Sequence, residues 1–425
     1  MARRSILFLL IGTCLQRANS GAGNVVLGLL LVQLASKTSH SITSVQVGLL
    51  PVAFYSAELL LAPLMGSLSD HWGRRKFLLI GPLCGFGQMV LLFFVPHHQP
   101  FSYLLLLQVG AGVCGAMTTP ATLGFLADIT VQSQAGRTRV MSFYELMTSG
   151  GIAVGTVLGG IAWDRLGRLS FFLLAISYVL VSGCMALIPA VHQVVSRENV
   201  RVTLLRYGRI VRMPRLFIFL PAWLCISALI GIWLSSQITF LLSRPSHNAH
   251  QLLMGIASGH GGGERLSLML GTYVLFFGLC LLFWAFFLNK VPRLQLMLTS
   301  VVGVYIACVA LFGINHHDVA HEQILYLWLP ILLIGIFAET SFAPAALAYL
   351  ADVSEYAAKD RGLVMGLYSI FLGLGQILGN GLGGVFARQF GFDGLIYLTA
   401  LLAFIAFISL LWLFREERKP VSFPA

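Results

Sequence analysis

Apolar residues run through this chain in long stretches, broken by polar segments too short to fold alone. A helix crosses a bilayer core with about 20 mostly apolar residues, each rising about 1.5 Å. Twelve stretches of that kind are legible, beginning near Ser5, Val45, Phe77, Phe101, Val140, Leu169, Leu216, Leu266, Gln295, Ile324, Gly362 and Leu395. The first six end by about Ala190 and the last six begin after Arg215. The pattern predicts an all-α integral membrane protein of twelve transmembrane helices in two six-helix bundles. The bundles cover residues 1–190 and 216–414, with a basic linker over 191–215 and a tail over 415–425. At the amino end, Arg3 and Arg4, an apolar run over 6–15 and Ala18-Asn19-Ser20 imitate a cleavable signal peptide. The apolar run resumes at Val25 and lasts to Ala35, so one long first helix with a polar middle is predicted instead.

Composition agrees: of 425 residues, 57% are hydrophobic and 10% charged, well under the charged share of a soluble domain. The net charge of +11 does not point to nucleic acid, because most of the 27 Lys and Arg fall in alternate loops and at the termini. That bias sets orientation in a membrane. Arg3, Arg4, Arg415, Arg418 and Lys419 join the linker cations on one side, so both termini are expected in the cytoplasm and the protein in the plasma (inner) membrane. The linker arginines Arg197, Arg201, Arg206, Arg209, Arg212 and Arg215 are spaced for an amphipathic helix on the inner leaflet, or for an ordinary cytoplasmic linker. Residues 243–266, rich in Gly, Ser and His, are expected to form a flexible outer loop. Asn315, His316, His317, Asp318, His321 and Glu322 are expected in a solvated outer loop rather than at a metal. The seven cysteines all lie inside apolar runs and read as small buried hydrophobes.

The halves repeat without a gap. Pro120, Leu123, Leu126, Ala127 and Asp128 recur as Pro344, Leu347, Leu350, Ala351 and Asp352. Arg137, Val140, Met141 and Tyr144 recur as Arg361, Val364, Met365 and Tyr368. Gly151, Gly155, Gly159 and Gly160 recur as Gly375, Gly379, Gly383 and Gly384, at a spacing that lets helices pack closely. This is a parallel duplication of a six-helix unit.

Between the second and third stretches the chain reads Gly66-Ser67-Leu68-Ser69-Asp70-His71-Trp72-Gly73-Arg74-Arg75-Lys76. Glycines let the helix ends approach, Asp70 suits a helix terminus or a basic partner, and three consecutive cations mark the cytoplasmic side. Gly66, Leu68, Asp70, Gly73, Arg74 and Arg75 fit the signature between helices 2 and 3 of the major facilitator superfamily, which this turn resembles. His71 stands where the family usually has an arginine. The resemblance implies two homologous bundles around a central cavity, lined by spans 1, 4, 7 and 10, with spans 3, 6, 9 and 12 against lipid, working as a monomer. The glycines of the fifth span resemble the signature of drug/proton antiporters, with Thr156 replacing its proline, and Gln108 stands where those antiporters carry an arginine.

Charges inside the bilayer are costly and mark function by default. Four stand out: Arg17, Glu58, Glu145 and Glu339. By helical rise, Arg17, Glu58 and Glu339 lie about 18–20 Å from the inner ends of their helices and Glu145 about 9–12 Å, so the first three meet near the midplane. Arg17 and Glu58 can pair and merely pin two helices. Three carboxyls facing one arginine leave at least one able to bind and release a proton or attract a cation. Asp70, Arg74, Asp128, Arg137, Asp352 and Arg361 are expected to form an inner gate that breaks during the cycle; the alternative is solvated loop charge.

No phosphate-binding loop of the G-x-x-x-x-G-K-S/T type is present, which argues against an ATP-driven pump. A membrane enzyme needs a nucleophile with its base, or a metal cluster, and the sequence offers neither. The expectation is a secondary transporter with no cofactor, driven by a proton gradient and expelling small amphipathic molecules. The alternative is uptake or exchange of a polar metabolite, an organic anion or sugar, with Arg17 binding a carboxylate or phosphate. A sensor that binds ligand without transport is the third class.

Overall fold

The computed structural model describes residues 2–37, 42–96, 98–129, 134–188, 213–245, 250–259, 261–287, 291–317, 323–355 and 361–417. Among them run fourteen helices and no strand: α1 (Ala2–Lys37), α2 (Ser44–Trp72), α3 (Arg74–Phe93), α4 (Pro100–Ile129), α5 (Gln134–Leu166), α6 (Ser170–Ala186), α7 (Pro214–Trp233), α8 (Ser236–Ser243), α9 (Gly262–Phe287), α10 (Arg293–His316), α11 (Gln323–Glu339), α12 (Phe342–Glu355), α13 (Arg361–Phe390) and α14 (Phe392–Glu417). α1 passes unbroken through Ala18-Asn19-Ser20. Among the described residues, eleven apolar stretches are long enough to cross a membrane, and the one over Leu146–Ala186 runs through most of α5 and all of α6. Twelve crossings result, as predicted.

Local chemistry sets where the helices stop. Thr43 and Gln46 form a reciprocal capping box at the start of α2. Gly73 turns α2 into α3 at φ 94°, with nothing within 4 Å of where a side chain would start. Gly167, at φ 55°, divides α5 from α6. The breaks within the seventh and tenth spans, between α7 and α8 and between α11 and α12, were not predicted. Hydroxyls support the second break: Thr340 Oγ1 donates to the Phe337 carbonyl (2.8 Å), and Ser341 Oγ is shared between the carbonyls of Ala338 (2.7 Å) and Leu296 (3.0 Å). Backbone freed inside a membrane needs such partners.

The chain packs as two units. The first comprises Met1–Ser196, Ser235–Ser246 and Met254–Phe276, and the second Arg197–Leu234, His247–Leu253 and Phe277–Ala425. In the first, α1 packs on α5 and α6, α2 on α4, and α3 on α4 and α6. Gly151, Gly155 and Gly159 of α5 face Cys14, Ala18 and Ala22 of α1, so two ladders of the same step run along each other. In the second unit, α7 packs on α13 and α14, and α10 on α11 and α14. Gly375 and Gly379 of α13 meet Leu224, Ser227 and Ala228 of α7, repeating the seam of the first half. Large apolar side chains such as Leu60, Phe286 and Tyr326 stand more than three-quarters exposed (77%, 81% and 76%), as a lipid-facing surface requires.

Two expectations about the loops change. Asn315 is fully buried and donates to Asp393 Oδ1 (2.7 Å), and His316 Nε2 lies 2.8 Å from Asp393 Oδ2, so these two are not part of a solvated loop. The reason is Asp393, a buried carboxylate at the start of α14 that requires donors; Gln251 Nε2 supplies another (3.0 Å). His321 and Glu322 lie outside the described residues, as does Asp318. The segment expected to be flexible is anchored at Leu252 and Leu253 to Asn315, and at Gly255 and Ala257 to Leu241 and Leu242. Of the cysteines expected to be buried, Cys225, Cys280 and Cys308 are, Cys14, Cys114 and Cys184 are half-buried and Cys84 is exposed; all seven are free. Of the linker cations, Arg197, Arg201, Arg206, Arg209 and Arg212 lie outside the described residues, and Arg215 belongs to α7.

Candidate functional site

The seam of α1 on α5 fixes the first charge. Because Gly151 and Gly155 carry no side chain, α1 lies close along α5, with Arg17 Cβ 3.1 Å from where a Cβ at Gly151 would be. Arg17 is half-buried, with the Tyr144 hydroxyl of α5 and Glu58 and Tyr55 of α2 as its polar neighbours. One residue earlier, Gln16 Nε2 donates to Thr118 Oγ1 of α4 (3.1 Å).

Glu58 owes its place to glycines in α4. Side chains at Gly112 and Gly115 would meet Phe54, Ala57 and Glu58, so their absence lets α2 settle on α4. The Glu58 carboxylate, half-buried, accepts from Thr119 Oγ1 (3.4 Å). No ion pair within 4.0 Å joins Arg17 to Glu58 among the described residues. The result is a polar belt of Gln16, Arg17, Tyr55, Glu58, Thr118, Thr119 and Tyr144 across four apolar helices. A cation and a carboxylate stand near each other in it, each with a neutral hydroxyl beside it. Such groups can take a charged ligand or a proton without first breaking a direct bond between themselves.

The second unit holds Glu339, half-buried, as the last residue of α11 before the break. Gly303 and Gly335 bring α10 and α11 together there, with Glu339 N 2.7 Å from where a Cβ at Gly303 would stand. Trp284 Nε1 donates to the carbonyl of Phe337 (2.7 Å), which also takes the Thr340 hydroxyl. Cys308 of α10 is the titratable group beside Glu339. The structure thus places Arg17 with Glu58 in one unit and Glu339 in the other. Glu145 lies in α5 next to Tyr144, but its side chain is outside the described residues.

The cations and carboxylates expected at the inner ends separate into brackets. Gly66 faces Pro120, and Arg74 lies against Gly124, both in α4. Arg75 Nη2 donates to the Ala186 carbonyl that ends α6 (2.7 Å). Asp352 of α12 pairs with Arg293, whose Nη1 also bonds the Ala348 carbonyl (3.0 Å). Gly124 and Ala348 are repeat mates, so Arg74 and Arg293 brace equivalent places. Arg293 was missed because no glycine motif marks its turn; its signal is a cation directly after the eighth span, as Arg74 follows the second. The side chains of Asp70, Asp128, Arg137 and Arg361 lie outside the described residues. No group of three or more metal-ligating side chains occurs among the described residues.

The profile of the Major Facilitator Superfamily matches residues 9–263 and 253–425. Multidrug resistance protein 2 of Bacillus subtilis (strain 168) is 22% identical over 345 residues, which is 80% of this chain and 79% of that protein. Quinolone resistance protein NorA of Staphylococcus aureus (strain Mu50) is 28% identical over 131 residues, 31% of this chain and 32% of that protein. The crystal structure of nucleoside transporter NupG aligns with a TM-score of 0.73 at 16% identity, covering 98% of this chain and 100% of that one. A bacterial homolog of the human lysosomal transporter Spinster, in an inward-facing and unoccupied conformation, aligns at 0.71 with 14% identity, covering 98% and 97%. With its profile matched from residue 9 to the end of the chain, over a duplicated bundle of twelve crossings, this chain belongs to the Major Facilitator Superfamily of transporters.

Proposed function

We propose that this transporter expels small amphipathic molecules by proton-coupled alternating access, as a monomer in the plasma membrane with both termini in the cytoplasm. The observation that carries the reading is the polar belt of the first unit, in which Arg17 and Glu58 are neighbours with no ion pair between them. A carboxyl group so placed can exchange a proton as a solute binds or leaves. Glu339 is the second coupling candidate. Asp70, Arg74, Asp128, Arg137, Asp352 and Arg361 serve as the charged set of the inner side, with Arg293 added to it. Efflux is favoured because two relatives are a multidrug resistance protein and a quinolone resistance protein. Arg17 supports a second reading, uptake or exchange of a polar metabolite with the guanidinium on an anionic group, and likeness to a nucleoside transporter is in keeping with it.

A ligand that binds only the folded state raises the melting temperature. Purified protein is therefore screened against lipophilic cations, sugars, amino acids and organic anions, and each hit is repeated with Glu58→Gln, Glu339→Gln and Arg17→Gln. Stabilisation by lipophilic cations, lost in a glutamate variant, is the expected result. Stabilisation by anions alone, lost with Arg17→Gln, would replace efflux by metabolite transport.

A further inference from the structure

The duplication places a carboxyl at one position in both halves, by two different routes. The spacing that pairs Pro120 with Pro344 also pairs Gly115 of α4 with Glu339 of α11. Gly115 has no side chain, yet a Cβ added there would stand 3.0 Å from Glu58 Oε1 and 3.1 Å from its carboxyl carbon. In a glutamate, two C–C bonds put the carboxyl carbon about 2.5 Å from its own Cβ. Glu58 therefore brings its carboxyl from α2 to nearly the spot where a glutamate at 115 would hold one. The supporting seams are both glycine-lined but come from different helices, α2 in the first half and α10, the repeat mate of α3, in the second. Gly112 and Gly115 admit α2 onto α4, and Gly303 and Gly335 admit α10 onto α11.

We propose that Glu58 and Glu339 are one proton site built twice, once in each unit, each carboxyl taking up a proton from one side of the membrane and releasing it to the other in every transport cycle. This rests on the proton-coupled reading above. The first half leaves a glycine at the shared position and supplies the carboxyl across a helix seam; the second carries it on the backbone of that position. Their surroundings differ, with Thr119, Arg17 and Tyr55 about Glu58 and Cys308 beside Glu339. The two sites are thus matched in place along the repeat and differ in their neighbours.

The test moves the carboxyl. Protein in liposomes under an imposed pH gradient is assayed with the lipophilic cation ethidium, and folding of each variant is checked by thermal melt and gel filtration. Glu58→Ala is expected to lower gradient-driven transport by about ten-fold or more, the size of a typical coupling energy. Adding Gly115→Glu to Glu58→Ala is expected to restore most of it. A folded double variant as inactive as Glu58→Ala overturns the shared site, whereas wild-type protein indifferent to the gradient overturns the proton-coupled reading itself. If the double variant does not fold, infrared pH titration without ligand decides. Glu58→Gln and Glu339→Gln are each expected to remove one component of the protonated-carboxyl band. Loss in only one variant, or in neither, overturns the proposal.

Discussion

The most demanding single positions are those with no side chain. A methyl added at Gly155 would overlap the carbonyl of Ala18, so α1 would have to retreat. Gly150, five residues earlier in the same helix, has nothing within 4 Å of that place. Gly155→Ala is expected to cost about 1–3 kcal/mol as overpacking. Gly150→Ala should be neutral or stabilise by up to about 1 kcal/mol, because alanine is the better helix former. Thermal melts in detergent compare the two, and equal shifts would remove the ladder as a packing seam. The ladder was readable because a step of four residues marks one helix face, and Arg17 and Glu58 were readable because charge stands out in an apolar run. Tyr144 and Thr119 were not. Which hydroxyl meets which charge depends on how α4 and α5 are rotated about their axes, and nothing in an apolar run records that.

At the level of elements, the tenth span breaks where its repeat mate does not. Thr340 and Ser341 interrupt it, while the corresponding Ala116 and Met117 lie inside an unbroken α4. The seventh span shows the same contrast: Ser235 and Ser236 mark its break, and the positions that the glycine seams match to them, Val25 and Val26, lie within unbroken α1. Hydroxyls compete with the backbone for its own carbonyls and so make a break tolerable. Ser341 is fully buried, and its hydroxyl serves carbonyls of α10 and α11. Ser341→Ala is expected to lower stability by about 1–3 kcal/mol, since a buried carbonyl loses its donor. Thr340→Ser, which keeps its hydroxyl, should cost less. A melt showing no loss for Ser341→Ala would mean that the break stands without its hydroxyl. The twelve crossings were legible because hydropathy reports burial in lipid. The breaks were not, because apolar residues continue on both sides and only two small polar side chains signal the change.

For the whole molecule, the question is what must part during the cycle proposed above. The end of α5 holds the start of α9 within the first unit. Asp164 Oδ1 accepts from Gly263 N (3.2 Å) and Oδ2 from Glu264 N (2.7 Å). These are amides that a helix N-terminus leaves unpaired, and a carboxylate complements its dipole. Gly160 faces Gly263 and Ser267, and Gly271 faces Val157, so the backbones meet closely below that bond. α5 comes from the first repeat and α9 from the second, so the alternating-access cycle proposed above would part them when the site opens to this end of α5. A covalent bond at this joint would prevent that. A Cβ at Gly263 would lie 3.1 Å from the carboxyl carbon of Asp164, and in a disulfide each Cβ stands about 3 Å from the partner sulfur. Asp164→Cys with Gly263→Cys should therefore cross-link under mild oxidant with little backbone movement. Oxidising the double variant is expected to abolish ethidium transport in liposomes and a reducing agent to restore it, with both single variants indifferent to the oxidant. Full transport by protein shown by mass to be cross-linked would mean that α5 and α9 stay together throughout the cycle, and access from this end of α5 would have to open elsewhere.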